Sequence, residues 1–372
     1  MVDNPMPGQE KRVSWVELFF DLVFVVAVTQ VTGLLHADHS WSGAAQALVV
    51  FIPIYWAWVG MTMHANLHDV DQTRTRLGVF TVGLCGLFMA MALPDAYGSL
   101  GLLFGASYWA ARLVLYALMW RSYRGIGFNP FSTAAFVSGP LLALGGLTHG
   151  TARVALWALA AGVDLFVPFL ARRRMARIAY EPSHLPERFG LFLIIALGES
   201  VAEIGVVAGG QPATPARLAV VAMAFALVCA LWWVYFVFAA DAIRHAVRTA
   251  EVAIEVIRPV LPYGHLAFIG SIIAIAAATG EVILHPLAHL HTDVAALLFG
   301  GAALYLATFG YTRWRMFRTI ATSRLSAAVL CLALLPLAGL APALAAMATL
   351  AAVLVALNVW EARVVQPVRT AQ

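Results

Sequence analysis

The sequence predicts an all-α polytopic membrane protein of about 12 transmembrane helices, arranged as two parallel six-helix repeats with both termini cytoplasmic. Three observations carry that prediction. Of the 372 residues, 62% are hydrophobic and only 11% charged, and the mean hydropathy is +0.84. Soluble chains run nearer roughly 45–50% apolar and about 25% charged, so a water-soluble fold would lack the polar surface to cover this material. The apolar residues also form runs close to the ~20 residues that a helix needs to cross a bilayer core. Finally, the basic residues collect between those runs, on every second connection.

Bounded by charge, Pro and Gly, the runs are 15–36, 43–64, 75–93, 99–120, 131–148, 151–171, 187–208, 216–240, 261–280, 292–312, 325–340 and 342–360. The first follows a polar leader and contains Glu17 and Asp21, so it does not read as a cleavable signal peptide. The run 131–148 and the last two are short, and the last two are parted only by a bend holding Pro336, Gly339 and Pro342.

Charge tests the count. With the N-terminus inside, the inner segments hold Lys11, Arg12, Arg74, Arg76, Arg121, Arg124, Arg172, Arg173, Arg174, Arg177, Arg188, Arg244, Arg248, Arg258, Arg313, Arg315, Arg318, Arg324, Arg363 and Arg369, which is 20 of the 23 Lys+Arg. Arg153 and Arg217 fall outside, and Arg112 lies within a span. A misplaced span in the middle would scramble this alternation. Lys11 is the sole lysine, which excludes a retinal Schiff base or lysine-linked pyridoxal chemistry inside the membrane. No continuous basic stripe of the nucleic-acid-binding kind is present. Cys85, Cys229 and Cys331 each sit in an apolar run without ligand spacing and read as packing residues.

The halves resemble each other. Glu17-Leu18-Phe19 opens span 1 and Glu187-Arg188-Phe189 opens span 7. Tryptophan clusters follow in the next span of each, Trp56/Trp58 and Trp232/Trp233, and spans 4 and 10 end in Trp120-Arg121 and Arg313-Trp314-Arg315. Aromatic belts and inner arginines recur in any polytopic protein, so the ordered series of matches carries the argument. The division expected is a leader 1–14, a first repeat 15–171, a basic linker 172–186, a second repeat 187–360 and a tail 361–372. An even span count per repeat makes the repeats parallel.

Ionisable groups within spans are costly and mark candidate sites. Glu17 and Asp21 share a helix face that Thr29 and Thr32 extend towards the outside. Glu199 lies twelve residues, roughly 18 Å, from Glu187 and so near the membrane middle, with Ser200 and Glu203 beside it. Gly198 and Gly205 suggest close approach of a neighbouring helix there. Together Glu17, Asp21, Thr29, Glu199, Ser200 and Glu203 form a candidate ion or solute pathway, the bland reading being interhelical hydrogen bonds. Arg112 and Asp164 match in depth with opposite sign and read as a buried ion pair. His265 reads as a satisfied core histidine, and His64, Asn66, His68 and Asp69 either line an inner vestibule or form a solvated helix end. His285 and His289 in an outer loop have metal-ligand spacing only if helical, which Pro286 opposes, so the expectation is a solvated loop and no metal. No catalytic motif of soluble type is present, and no cofactor is expected.

Glu17-Leu18-Phe19-Phe20-Asp21-Leu22-Val23-Phe24-Val25, and His184-Leu185-Pro186-Glu187-Arg188-Phe189-Gly190-Leu191-Phe192 running into Leu197-Gly198-Glu199-Ser200, resemble motifs of the bacterial low temperature requirement protein A family. The resemblance extends over essentially the whole length and implies a multispanning inner-membrane protein. The family's name reflects a growth phenotype and supplies no settled biochemical activity. The segment Phe19 to Thr29 is also similar to the first-helix signature of the potassium-channel family marked by Phe-Ser-Asp, which builds its pore from six-span repeats. Phe20 replaces the serine, and Gly190 and Leu191 depart from the signature in the second half, so potassium selectivity does not follow. The functional expectation is permeation of a small ion or solute in contact with membrane lipid, with a homo-oligomer left open. The alternatives are a membrane-embedded enzyme acting on a lipid with Glu199 as general acid or base, and a non-transporting, stress-linked scaffold.

Overall fold

The computed structural model describes residues 11–123, 127–176, 178 and 180–369, with side chains described as far as residue 364. Arg124, Arg177, the start of the leader and the last three residues lie outside the described residues, as does the side chain of Arg369. The described chain is helical, without a strand. Among the described residues eleven helices are long and apolar enough to cross a membrane, and a further one, Thr322–Ala338, is apolar but shorter.

In chain order these apolar helices are α1 (Trp15–Ala37), α2 (Trp41–Leu67), α3 (Thr73–Ala92), α4 (Gly101–Tyr123), α5 (Pro130–Leu147), α6 (Gly150–Leu170), α7 (His184–Gly209), α8 (Pro215–Phe236), α9 (Ala253–Leu284), α10 (Thr292–Phe317), α11 (Thr322–Ala338) and α12 (Ala343–Arg369). The sequence marks the middle of every one and misjudges several ends. Span 9 begins near Ala253 rather than 261, because a π-helical turn at Pro259–Tyr263 carries the helix through Pro259 and Pro262. A second such turn, Ala134–Ser138, keeps the short 131–148 run helical, and α8 is followed by a polar helix, Ala240–Thr249. The expected linker 172–186 contains one helical turn, Arg172–Met175, and the first residues of α7.

Local chemistry starts several helices. Ser14 caps α1 in a capping box: its hydroxyl receives the Glu17 amide while the Glu17 carboxylate accepts from the Ser14 amide at 2.8 Å. Ser40 and Thr214 cap α2 and α8 through the side-chain hydroxyl alone, accepting from the Gly43 and Arg217 amides. On the face opposite the basic clusters, Arg153 and Arg217 are both engaged by backbone carbonyls. Arg153 donates to Thr148, Ala96, Gly98 and Gly146, and Arg217 donates to Ile283, Leu284 and Pro212. Each guanidinium thus satisfies orphan carbonyls at the ends of neighbouring helices, where a cation also meets the negative end of the helix dipole.

Packing follows one order in both halves. In the first, α1 meets α2 and α3, and the chain of contacts continues α3 with α4, α4 with α5, α5 with α6, and α6 back to α2. In the second, α7 meets α8 and α9, followed by α9 with α10, α10 with α11, α11 with α12, and α12 back to α8. The halves join where α1 packs on α7 and α9, and α2 on α7 and α9. α2 and α9 are the most enclosed spans, with 72% of each apolar window buried. α4 and α5 come closest of all: a Cβ on Gly105 would lie 2.2 Å from the Leu142 carbonyl oxygen.

Candidate functional site

The charged residues of α1 meet a cation that belongs to the other half. Asp21, fully buried, accepts from Trp58 Nε1 at 2.6 Å and from Arg188 Nη1 at 2.5 Å. Glu17 Oε1 lies 3.0 Å from His184 Nε2 and 3.6 Å from Arg188 Nε, while its other oxygen serves the capping box. His184 and Arg188 are both fully buried at the start of α7. Trp58 stacks on Phe192 with ring centroids 4.1 Å apart, which seals the pair from the membrane middle. This cluster joins α1, α2 and α7, so its charges are compensated between the halves.

Around it the basic end of α2 is closed. The Asn66 amide spans the gap to residue 181, donating to the Glu181 carbonyl at 2.9 Å and accepting from its amide at 3.0 Å. Lys11 donates to the carbonyls of Ala65, Asn66 and His68 and so caps the C-terminus of α2. Burial lowers its pKa, and the charges of Glu17 and Asp69 pull the other way. His64 and Asn66 are buried, whereas His68 is half-buried and Asp69 exposed, so the end of α2 is packed up to Asn66 and reaches the surface beyond it.

Arg112 and Asp164 lie 3.7 Å apart and buried. Tyr108 and Ser138 also donate to Asp164, and Arg112 donates to the Trp56 carbonyl at 2.9 Å. His265 is buried with both ring nitrogens engaged, by the Tyr235 hydroxyl at 2.7 Å and the Leu261 carbonyl at 2.9 Å. His285 faces Glu281 at 3.7 Å, and among the described residues no cluster of His, Cys, Asp and Glu has metal-holding geometry.

Glu199 and Glu203 are placed differently. Both are half-buried on α7, and among the described residues neither has a cation or hydrogen-bond donor within bonding distance. Their neighbours Gly198, Val201, Ala202 and Gly205 are exposed, and a Cβ added to Gly198 or Gly205 would meet open space. The expectation that these glycines admit a neighbouring helix is therefore corrected: the face of α7 that carries them is uncovered. Ser200 is buried and donates to the Ala196 carbonyl of its own helix. Thr29 and Thr32 likewise donate to the carbonyls of Val25 and Val28 of α1, so the hydroxyl donors of that stripe are spent on their own helix.

The structure thus separates the residues that the sequence grouped. Glu17 and Asp21 belong to a buried, paired cluster near the basic face, and Glu199 and Glu203, farther along α7, form a couple without a partner among the described residues. Sequence reasoning passed over Arg188, His184 and Trp58. The spacing Ser14-x-x-Glu17 is a signal from which the capping box could have been read, but nothing local ties Arg188 to Asp21, 167 residues away.

No solved structure matches the chain. An uncharacterized protein of Rhizobium meliloti (strain 1021) is 32% identical over 321 residues, which span 80% of this chain and 76% of that protein. The family model for the bacterial low temperature requirement A protein matches residues 12–359, a stretch that takes in the ionic cluster, the α7 carboxylates and every span but the end of the last. The protein is a multispanning helical membrane protein, and the chain belongs to the bacterial low temperature requirement A family.

Proposed function

We propose that the protein moves a small ion or solute across the bacterial inner membrane, with Glu199 and Glu203 on its route. The observation that carries this reading is the lack of any partner for two carboxylates near mid-depth. A charged side chain at the centre of a spanning helix costs about 3 kcal/mol even on lenient scales, and a packing role would supply donors. Water, a passing cation or a solute supplies them instead. Glu17 and Asp21 take a different part: with Arg188 and His184 they clamp the first helix of one half to the first helix of the other. Movement of one half against the other would have to rearrange that clamp.

The recurrence of one packing order in both halves supports two six-helix repeats, 15–171 and 187–360, in parallel orientation with both termini on the cytoplasmic side. The tryptophan clusters are not equivalent in environment: Trp56 and Trp58 are buried, whereas Trp232 and Trp233 are exposed. In this scheme the repeats share a packing frame and differ in the residues that serve the route.

Flux through sealed liposomes tests the proposal. Purified protein should carry an ion- or solute-dependent flux that Glu199→Gln and Glu203→Gln each reduce by about tenfold or more, while Arg363→Gln leaves it unchanged. Absence of flux across a broad panel of ions and small solutes, from protein that remains folded, would overturn it.

A further inference from the structure

Three arginines from three separate elements converge at the basic face, away from the carboxylates of α7. Arg258, at the π turn that opens α9, is 9% exposed and has no acidic partner among the described residues. Its Nη1 reaches only the carbonyls of Pro168 and Phe169, each at 3.5 Å, the outer limit of a hydrogen bond. Arg172 is on the turn that packs against the start of α9, and Arg315 is on α10, which packs against the π turn following Arg258. Neither has an acidic partner among the described residues, and the Arg315 Nε is buried without a hydrogen-bond partner. The Arg172 and Arg258 guanidinium groups both lie against the Phe169 ring, 4.8 and 5.2 Å from its centroid.

Aromatic rings and two carbonyls at 3.5 Å oppose these three cations only weakly and leave most of their donors free for an anion. The surroundings say what kind of group that is. Phe169 and Leu170 at the end of α6 and Tyr311 of α10 are exposed, giving the cluster an apolar flank towards the bilayer. A narrow cleft lined by Pro168, Pro262, Tyr263 and Trp56 leads inwards from Arg258 to Arg112 and is otherwise largely apolar. A soluble anion uses the charge and leaves the apolar walls idle, whereas a lipid with an anionic headgroup uses both. Basic pockets between helices at the inner face of a membrane bind such headgroups, and arginine suits phosphate because its planar fork donates in pairs.

We infer that Arg172, Arg258 and Arg315 form a binding site for an anionic phospholipid, the guanidinium groups holding the headgroup phosphate and the exposed Phe169 and Leu170 bearing on the acyl chains. The site joins the end of α6 to α9 and α10, so its lipid would tie the two halves together at the basic face.

The test uses the full-length protein in a neutral detergent with tail-labelled phosphatidylglycerol, the same label on phosphatidylcholine, and inorganic phosphate as competitor. Phosphatidylglycerol should bind about tenfold or more tighter than phosphatidylcholine. Arg258→Gln should weaken it about fivefold, the scale of one arginine at a charged membrane surface. Should Arg258→Gln fail to fold, the exposed-side pair Arg172→Gln with Arg315→Gln should produce at least as large a loss, while Arg121→Gln, elsewhere on the basic face, should leave affinity unchanged. Equal binding of the two lipids, or wild-type affinity in the folded double variant, would overturn the site. Displacement of the labelled lipid by millimolar phosphate would overturn its assignment to lipid and make it a site for a soluble anion.

Discussion

At the scale of single residues, the position of Arg188 decides what the first helix is for. Its guanidinium has a carboxylate on Asp21 at 2.5 Å and another on Glu17 at 3.6 Å, and no water-exposed side. Removing one member of such a set strands the others as uncompensated buried charge, at a cost of about 3–5 kcal/mol. Arg188→Met should therefore lower the melting temperature of the purified protein steeply. Arg188→Met combined with Asp21→Asn should recover part of the loss, since the double change removes the charge that the single one leaves behind. Equal stability of the single and double variants would show that the two residues do not act as a pair. Asp21 was legible in the sequence as a charge too deep to be accidental. Arg188 was not: four residues from the start of α7, it resembles any basic residue at an inner helix end. Only the packing of that turn against α1 and α2 reveals that it is buried.

At the scale of helices, glycines separate close packing from open faces. The sequence marks Gly105 and Gly198 alike, as small residues inside apolar spans. In the fold they are opposites: Gly105 sits against the backbone of α5, and Gly198 faces open space. Gly105→Ala should cost about 1–3 kcal/mol or more through overpacking. Gly198→Ala and Gly205→Ala should leave stability within about 0.5 kcal/mol of wild type, or raise it slightly through helix propensity. Thermal unfolding of the three variants in one detergent checks the contrast, and a large loss at Gly198 would mean that another helix covers that face. Span positions themselves were legible because hydropathy and arginine placement are set residue by residue. The start of α9 was not, because a π turn carries the helix through proline signals that ordinarily end one.

At the scale of the whole molecule, two halves with one order of helix contacts meet along α1, α2, α7 and α9, and charge is distributed unequally across that junction. Near the basic face it is paired and dry, at Asp21 and Arg188. Farther along α7 it is unpaired, at Glu199 and Glu203, on a helix face that no described residue covers. A route for an ion or solute needs water or cargo to reach those two carboxylates. The most direct test is the reactivity of a thiol placed there. With Cys85, Cys229 and Cys331 replaced, Glu199→Cys and Glu203→Cys are introduced singly, and the protein in sealed liposomes is exposed to a charged methanethiosulfonate that reacts only in water. Modification at both positions, at rates at least about tenfold above a control on an exposed apolar face of another helix, such as Leu159→Cys on α6, is the result expected of a wet route. Thiols at 199 and 203 that stay as inert as the control in folded protein would contradict it.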